Sequence, residues 1–186
     1  NLRVQLYIKS KAKLNIGNQC GTNHMAVRYS KVIELIDDAD SSILSNITTV
    51  KIRKSFTPTL STATNYTVSF NNALYNPHSG HNSSAGGILS STGFKVSGDT
   101  TNVYFFDDDG QGNIRRYYLA NQVRTYVDNT AGTINYSAGT LSINSVNITS
   151  VENIRGSASS VIECTVTPSS NDVVPVRNQI VNIDVT

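Results

Sequence analysis

The chain has 186 residues, enough for one sizeable domain or two small ones. Only 15% of the residues are charged and the formal net charge is +2, which gives no electrostatic reason to expect nucleic acid or an anionic membrane as a partner. The cysteines, Cys20 and Cys164, are too few and too far apart for a disulfide-built secreted domain. No apolar run approaches the ~20 residues that cross a bilayer, so we expect no membrane partner.

The N-terminal part predicts a strand, a loop and a helix. Residues 2–9 alternate apolar and polar, and 15–23 are typical of a loop. From Tyr29 to Ile36 apolar residues recur at spacings of three and four, which predicts an amphipathic helix. Because the chain starts inside a strand-like pattern and not with methionine, we expect a fragment of a longer protein.

A long strand follows the helix. From Thr48 to Phe56 the period becomes two, and Pro58 ends the pattern. We predict one covered face and one wet face, with Lys51 and Arg53 among the solvated side chains.

The next tract divides the chain. Residues 76–86 are rich in turn formers and poor in apolar residues, which indicates an exposed loop. We therefore predict a strand-helix-strand part of an α+β domain at 1–75, a β-rich hairpin domain at 87–186, and the loop between them.

The second part predicts strands and turns throughout. Strand patterns alternate with Gly- and Asp-containing turns, and a tight hairpin is predicted at 136–140. The predicted strands are 88–96, 102–106, 113–119, 122–127, 133–136, 140–143, 161–167 and 179–185. The fold class is therefore mainly β (α+β), with antiparallel strands and hairpins and one clear amphipathic helix near the N-terminal side.

The acidic run Asp107-Asp108-Asp109-Gly110 raises the question of a cation site. Clustered carboxylates suit Ca²⁺, but the alternating acidic spacing and downstream glutamate of an EF-hand are missing, since position 118 is Tyr118. We favour a solvated acidic hairpin turn, with a cation site as the alternative.

Other residues with chemical potential lack partners in the sequence. His78 and His81 are three apart, but no cysteine or carboxylate lies near them, so we predict no metal site. Cys164 sits in an alternating strand and is predicted to be a buried small hydrophobe. The serines have no nucleophile motif and the glycines no phosphate-binding motif, so we predict no enzyme and no cofactor.

Aromatic and arginine residues interleave around the acidic run. The pattern is compatible with base stacking, but cross-strand packing in a hairpin explains it more simply. The residues are Tyr104, Phe105, Phe106, Arg115, Arg116, Tyr117 and Tyr118.

Three segments, taken in order, carry a resemblance to a known family. The first is RYSKVIELIDDADSSILSNITTVKIRKSFTP from Arg28, and the second is DDDGQGNIRRY from Asp107. The third is the C-terminal part, which runs GTINYSAGTLSINSVNITSV, then a variable link, then VIECTVTPSSNDVVPVRNQIVNID. Together they resemble the C-terminal region of the gene-product-six family of baseplate wedge proteins from T-even-type contractile-tailed bacteriophages, distantly similar to J-type baseplate proteins. The segment before Arg28 matches the family less well. The loop at 76–86 is interpreted as a local insertion relative to the family.

The resemblance implies a structural role without catalytic, metal or cofactor residues. Members of the family dimerise within each wedge and link wedges into the inner ring around the tail hub. The implied partners are the chain itself, other wedge proteins, and sheath-initiating and hub-proximal tail proteins. The implied location is the baseplate of the virion tail, assembled in the cytoplasm of the bacterial host.

Two surfaces are predicted as interfaces. One is the helix face opposite the apolar stripe, and the other is a C-terminal segment in which proline interrupts strand pairing and arginine suits a bidentate carboxylate contact. A plain bend and a surface charge are the alternative for that segment. The residues are Lys31, Glu34, Asp38, Val174, Pro175, Arg177 and Asn178.

Two rival functions remain at this point. A carbohydrate- or host-surface-binding β module of a phage tail fits the Ser/Thr/Asn content, but it leaves the helix unexplained. A tail-associated hydrolase would need a second acid to pair with Asp107 or Asp109, and the sequence indicates none.

Overall fold

The computed structural model describes residues 3–8, 28–41, 44–81, 87–173 and 182–183. Within these ranges the chain is mostly strand, arranged in antiparallel sheets with one helix. The prediction of a mainly-β fold is therefore confirmed.

The helix α1 spans Tyr29–Asp37 and buries the predicted apolar stripe through Val32 and Ile36. The Arg28 side chain makes no capping hydrogen bond. Instead, the Tyr29 N–H donates to Oδ1 of Asp172 at 2.8 Å. A carboxylate 143 residues away in the sequence thus satisfies a free donor at the helix N-terminus.

The strands occupy most of the remaining described chain. They are β1 (Arg3–Ile8), β2 (Thr48–Phe56), β3 (Ala63–Ser69), β4 (Ser90–Ser91), β5 (Phe94–Val96), β6 (Asp99–Asp108), β7 (Asn113–Ala120), β8 (Val123–Asn135), β9 (Thr140–Val151), β10 (Ile162–Val166) and β11 (Asn182–Ile183).

The first sheet has the strand order β11-β1-β2-β10-β4. β1 runs parallel to β11 and antiparallel to β2, and β10 lies antiparallel between β2 and β4. Alternate residues of β2, among them Val50 and Ile52, are buried, as the period of two predicts.

The second sheet closes on itself. β5, β6, β7, β8 and β9 pair in succession, and β9 returns to pair with β5. β3 lies on the other edge of β9, because the Ile148 carbonyl accepts from the Ser61 N–H at 2.7 Å and the adjacent Asn147 carbonyl accepts from the Ser97 N–H at 2.9 Å. Successive carbonyls of a strand point to opposite edges. Strands β5 to β9 thus form a small closed barrel with β3 attached outside.

Strands from both sides of residues 76–86 take part in both sheets. β2 pairs with β10 in the first sheet, and β3 pairs with β9 in the second. The predicted loop therefore connects parts that share their sheets.

The barrel interior is filled by large apolar side chains. The rings of Phe94 and Phe106 lie 4.7 Å apart, and Ile114, Leu141 and Ile148 are fully buried. The core continues into the first sheet through residues of β2 and β10. This packing removes apolar side chains from water, which stabilises the fold.

Several predicted strand bounds need correction. The predicted strand at 88–96 is two short strands separated at Thr92 and Gly93, while 122–127 and 133–136 belong to the single strand β8. A β-carbon on Gly93 would come within 2.6 Å of the Val103 side chain, so the glycine permits a close crossing that no ordinary strand residue allows. No helix among the described residues is long and apolar enough to span a membrane.

Candidate functional site

The predicted interface residues fall into two groups. Lys31, Glu34 and Asp38 are all exposed at α1, and Lys31 Nζ lies 2.6 Å from Glu34 Oε2. Val174, Pro175, Arg177 and Asn178 lie outside the described residues. The interface prediction therefore stays a prediction for both groups.

The acidic run is not the solvated turn that we predicted. Asp107 and Asp108 belong to β6 and are 1% and 0% exposed, and the turn itself begins at Asp109. The prediction was wrong because the sequence run does not reveal that donors from distant segments cover the first two carboxylates.

Asp107 is the centre of a charged cluster on the β6, β7 and β8 strands. Its Oδ1 accepts from Arg115 Nε at 2.9 Å, and its Oδ2 accepts from Arg124 Nη1 at 2.9 Å and from the Tyr126 hydroxyl at 2.8 Å. The Arg115 guanidinium also lies 4.3 Å from the centre of the Tyr126 ring. Two guanidinium groups and one hydroxyl therefore hold this buried carboxylate.

Asp108 connects the barrel to the segment that follows residue 86. Its Oδ1 accepts from the backbone N–H groups of Ile88 and Leu89, each at 2.8 Å, and its Oδ2 accepts from the Tyr136 hydroxyl at 2.6 Å. Gly87 has φ +59° and a β-carbon there would overlap the Asp108 carboxylate. Burial, followed by the hydrogen bond to Asp108, raises the pKa of Tyr136 far above its ordinary value.

Asp109 shapes the hairpin turn. Its Oδ1 accepts from the N–H groups of Gln111 and Asn113, and its Oδ2 accepts from Asn113 Nδ2 at 2.6 Å. Burial acts to raise the pKa of Asp109, but the hydrogen bonds from Asn113 and Gln111 outweigh it and hold the pKa below the usual range.

These contacts bear on the cation alternative. The carboxylates of all three aspartates accept hydrogen bonds from the chain's own donors, as Asx-type and ion-pair contacts do. Among the described residues, no group of three or more His, Cys, Asp or Glu side chains is placed to hold a metal ion.

The histidine pair and Cys164 complete the sequence candidates. Nδ1 of His81 lies 3.0 Å from Nε2 of His78, and the two rings meet edge to face. Cys164 is fully buried, as predicted, and burial raises the pKa of its thiol to about 12. A thiol in this state is a packing residue and not a nucleophile.

The aromatic residues pack across the strands as predicted. Tyr104 lies opposite Tyr118, and Phe105 lies opposite Tyr117 with ring centres 5.7 Å apart. Tyr117 in turn lies 5.6 Å from Tyr126. Phe105, Tyr117 and Tyr126 form a row across β6, β7 and β8, with Arg124 over the Tyr117 ring and Arg115 over the Tyr126 ring.

A cleft that the sequence did not reveal lies between the two sheets. Its volume is about 600 Å³, within the usual range for ligand sites. The lining includes Arg53, Phe105, Glu152, Arg155 and Glu163. Nη1 of Arg53 lies 2.6 Å from Glu163 Oε2, and Nη2 of Arg155 lies 3.4 Å from the same oxygen.

Arg53 was predicted to be solvated and is instead 3% exposed. The alternation of β2 correctly separates its two faces, but it does not show that β10 and Glu163 cover the second face. An arginine and a glutamate on two separate strand patterns were the only available signal, and nothing in the sequence pairs them.

The open edge of β8 is a second feature that the sequence did not predict. β8 pairs with β9 only from Gly132 to Asn135, and its earlier half pairs only with β7 among the described strands. Val123 and Val127 on this half are 66% and 45% exposed. Unpaired edges with exposed apolar side chains are places where further strands add.

No protein-family model matches the chain, and no curated protein matches it either. The resemblance to baseplate wedge proteins therefore rests on the quoted segments alone.

Proposed function

We propose that this chain is a structural subunit of a contractile phage tail baseplate. It is a wedge component that dimerises and links wedges into the inner ring, with other wedge, sheath-initiating and hub-proximal proteins as partners. It acts in the virion after assembly in the bacterial host, without catalysis, cofactor or metal.

The observation that carries this proposal is that the acidic run Asp107–Asp109 is engaged in hydrogen bonds within the chain. Its three carboxylates receive hydrogen bonds from the backbone or side chains of the same chain. A carboxylate so engaged is a poor general base or cation ligand and a good tie between strands. Buried ties of this kind suit a subunit that transmits force through its interfaces.

Two further features support an assembly role. The three segments that resemble the wedge family occur in the family's order, and the likeness runs from Arg28 to Asp184. The open edge of β8 and the exposed apolar residues Leu119, Val123 and Val127 offer surface for protein contacts.

The proposal is tested by light scattering of the full-length protein alone and mixed with wedge partners. We expect a dimer that joins a complex of defined mass. A monomer that ignores wedge partners would overturn the proposal.

The predicted C-terminal contact has its own test. We expect Arg177→Ala to weaken assembly of the ring, because the guanidinium is suited to a partner carboxylate. Ring formation is measured by electron microscopy, with Lys95→Ala as the control for loss of a positive charge elsewhere. Unchanged assembly of the Arg177 variant would remove this residue from the interface.

A second candidate function is favoured by the cleft. A carbohydrate- or host-surface-binding module requires hydrogen-bond donors and acceptors beside an apolar wall. In the cleft, Arg155 supplies donors, Glu152 supplies acceptors and Phe105 supplies the apolar surface. Saturable glycan binding that Arg155→Ala abolishes and Lys95→Ala leaves unchanged would favour this function over assembly.

A further inference from the structure

The β7–β8 hairpin determines which backbone groups of β8 face outward. Asn121 and Gln122 form its two-residue turn with φ angles of 50° and 66°, the signature of a type I′ turn. Ala120 and Val123 then form the hydrogen-bonded pair that closes the turn, and hydrogen-bonded pairs alternate from there. The backbone N–H and C=O groups of Arg124 and Tyr126 therefore point away from β7.

A bulge limits the length of this outward edge. Tyr126 lies opposite Tyr117, but the next paired residue of β8 is Asp128, opposite Arg116. Val127 is thus the extra residue, and bulges of this kind end regular pairing. The edge available to a partner runs from Val123 to Val127.

The geometry points to a second copy of this chain as the partner of this edge, in an antiparallel twofold arrangement centred on Thr125. This inference rests on the proposed assembly function and names the surface through which two copies meet. In such an arrangement the same surface serves both copies.

The position of the twofold axis at Thr125 follows from the order of the residues along the edge. A twofold axis at Thr125 places Arg124 of one copy opposite Tyr126 of the other, so the outward backbone groups of both residues form four hydrogen bonds in total. It also places Val123 of each copy beside Val127 of the other, which covers both exposed valines.

The alternative centre at Tyr126 is less favourable. It would place Val123 opposite Asn129, leaving an exposed apolar side chain against an amide. The segment Val123-Arg124-Thr125-Tyr126-Val127 has valines at both ends and threonine in the middle, so its own reverse is a matched partner.

The charges agree with this pairing. Arg124 shares the Asp107 carboxylate of its own copy with Arg115, each at 2.9 Å, so one negative charge only partly balances the two guanidinium groups. The pairing does not place Arg124 opposite another cation. Opposite it lies an aromatic ring, which also accepts a guanidinium. Five residues a side bury less than the ~800 Å² per partner of a stable interface, so we expect a reversible, concentration-dependent dimer.

The first test is a cross-link with one substitution. In the twofold arrangement the two Thr125 residues form a non-hydrogen-bonded pair with Cα atoms about 4.5 Å apart, which a disulfide spans. In a Cys20→Ser background, where Cys164 is buried, we expect Thr125→Cys to give a covalent dimer under mild oxidation. Val123→Cys is the control, because the two substituted residues would be more than about 13 Å apart.

A charge variant gives the second test. Thr125→Glu places two carboxylates opposite each other, and we expect a monomer at concentrations where the unsubstituted chain is dimeric. Asn129→Glu, on the same strand beyond the bulge, should leave the dimer intact. Mass is measured by light scattering over a range of protein concentrations.

The outcomes separate this inference from the proposed function. A chain that stays monomeric, equal cross-linking of the two cysteine variants, or a dimer unaffected by Thr125→Glu would overturn the edge pairing. A chain that forms the edge dimer but joins no wedge complex would overturn the proposed function and leave the pairing standing.

Discussion

At the scale of single residues, Asp108 is a side chain on which the stability of the fold depends strongly. It is fully buried, and it accepts from two backbone N–H groups and one hydroxyl. Removing a buried acceptor leaves its donors unsatisfied, which costs more than the hydrogen bonds themselves contribute.

We expect Asp108→Ala to lower the free energy of unfolding by about 3 kcal/mol, since the N–H groups of Ile88 and Leu89 lose their acceptor. Asp108→Asn keeps an acceptor oxygen of the same size and should cost about 1 kcal/mol. Urea denaturation of both variants measures the difference. Equal losses would mean that the charge, and not the acceptor, matters at this position.

Gly87 and Gly98 form a matched pair of glycines with positive φ. At Gly87 a β-carbon would overlap Asp108, whereas at Gly98 nothing lies within 4 Å. We expect Gly98→Ala to cost about 1 kcal/mol from backbone strain alone and Gly87→Ala roughly 3 kcal/mol or more. Thermal unfolding of the two variants compares them, and similar melting temperatures would contradict the close approach.

The buried tyrosines predict a loss of stability in alkali. Burial raises the pKa values of Tyr117, Tyr126 and Tyr136, and the hydrogen bond to Asp99 raises that of Tyr104, all above the ordinary value of 10.0. Their contribution is fully present below about pH 10 and is lost as the pH rises above it, because only the unfolded chain ionises readily there.

This expectation is checked by urea denaturation at increasing pH, alongside absorbance of the tyrosinate ion. Tyr136→Phe should reduce the slope of stability against pH above about pH 10. An unchanged slope in that variant would show that Tyr136 titrates normally in the folded chain.

The contacts of individual side chains were also the features that the sequence predicted least well. The three aspartates were recognisable as a group, but their partners Arg124 and Tyr136 lie 17 and 28 residues away from those they contact. Burial of a charge depends on such partners, and a local pattern carries no information about them.

At the scale of elements, the ion pair of Arg53 and Glu163 joins β2 to β10. Their side chains are 4% and 13% exposed, so loss of one partner leaves a largely buried charge. We expect Glu163→Ala to destabilise the fold by about 3 kcal/mol and Arg53→Met with Glu163→Leu to recover part of that loss. Urea denaturation of the single and double variants tests this, and additive losses would rule out coupling between the two residues.

Element prediction succeeded where one period runs without interruption. The helix and β2 have the predicted bounds because an uninterrupted apolar period marks a buried face of each, although β2 also buries Arg53 on its other face. It failed at Gly93, where a crossing breaks the strand, and across 128–132, where β8 continues through a polar stretch because β7 and then β9 pair with it.

At the scale of the whole molecule, the sheets predict that neither predicted part folds alone. A fragment of residues 87–186 lacks β2 and β3, which pair with β10 and β9. We expect this fragment to show no cooperative unfolding transition and to gain one when residues 1–75 are supplied separately. Circular dichroism during heating measures it, and independent cooperative unfolding of the fragment would contradict the expectation.

The fold class was predictable from composition and periodicity, whereas the pairing of strands was not. Hairpins such as the one at 136–140 follow from turn residues. The contacts of β2 with β10, and of β3 with β9, join segments more than 70 residues apart, and their pleat patterns do not distinguish one partner from another.

Closure of the barrel through β9 affects when the barrel can fold during synthesis of the chain. β9 closes the ring by pairing with β5 through Ile148, Ser150 and Val151, so this contact cannot be complete until residue 151 has been synthesised. Pairings between such distant segments carry a large loop-closure entropy and slow the search for the native state. The barrel therefore stays open while the residues up to 151 are being synthesised, and we expect the pairing of β5 with β9 to be a slow step in folding.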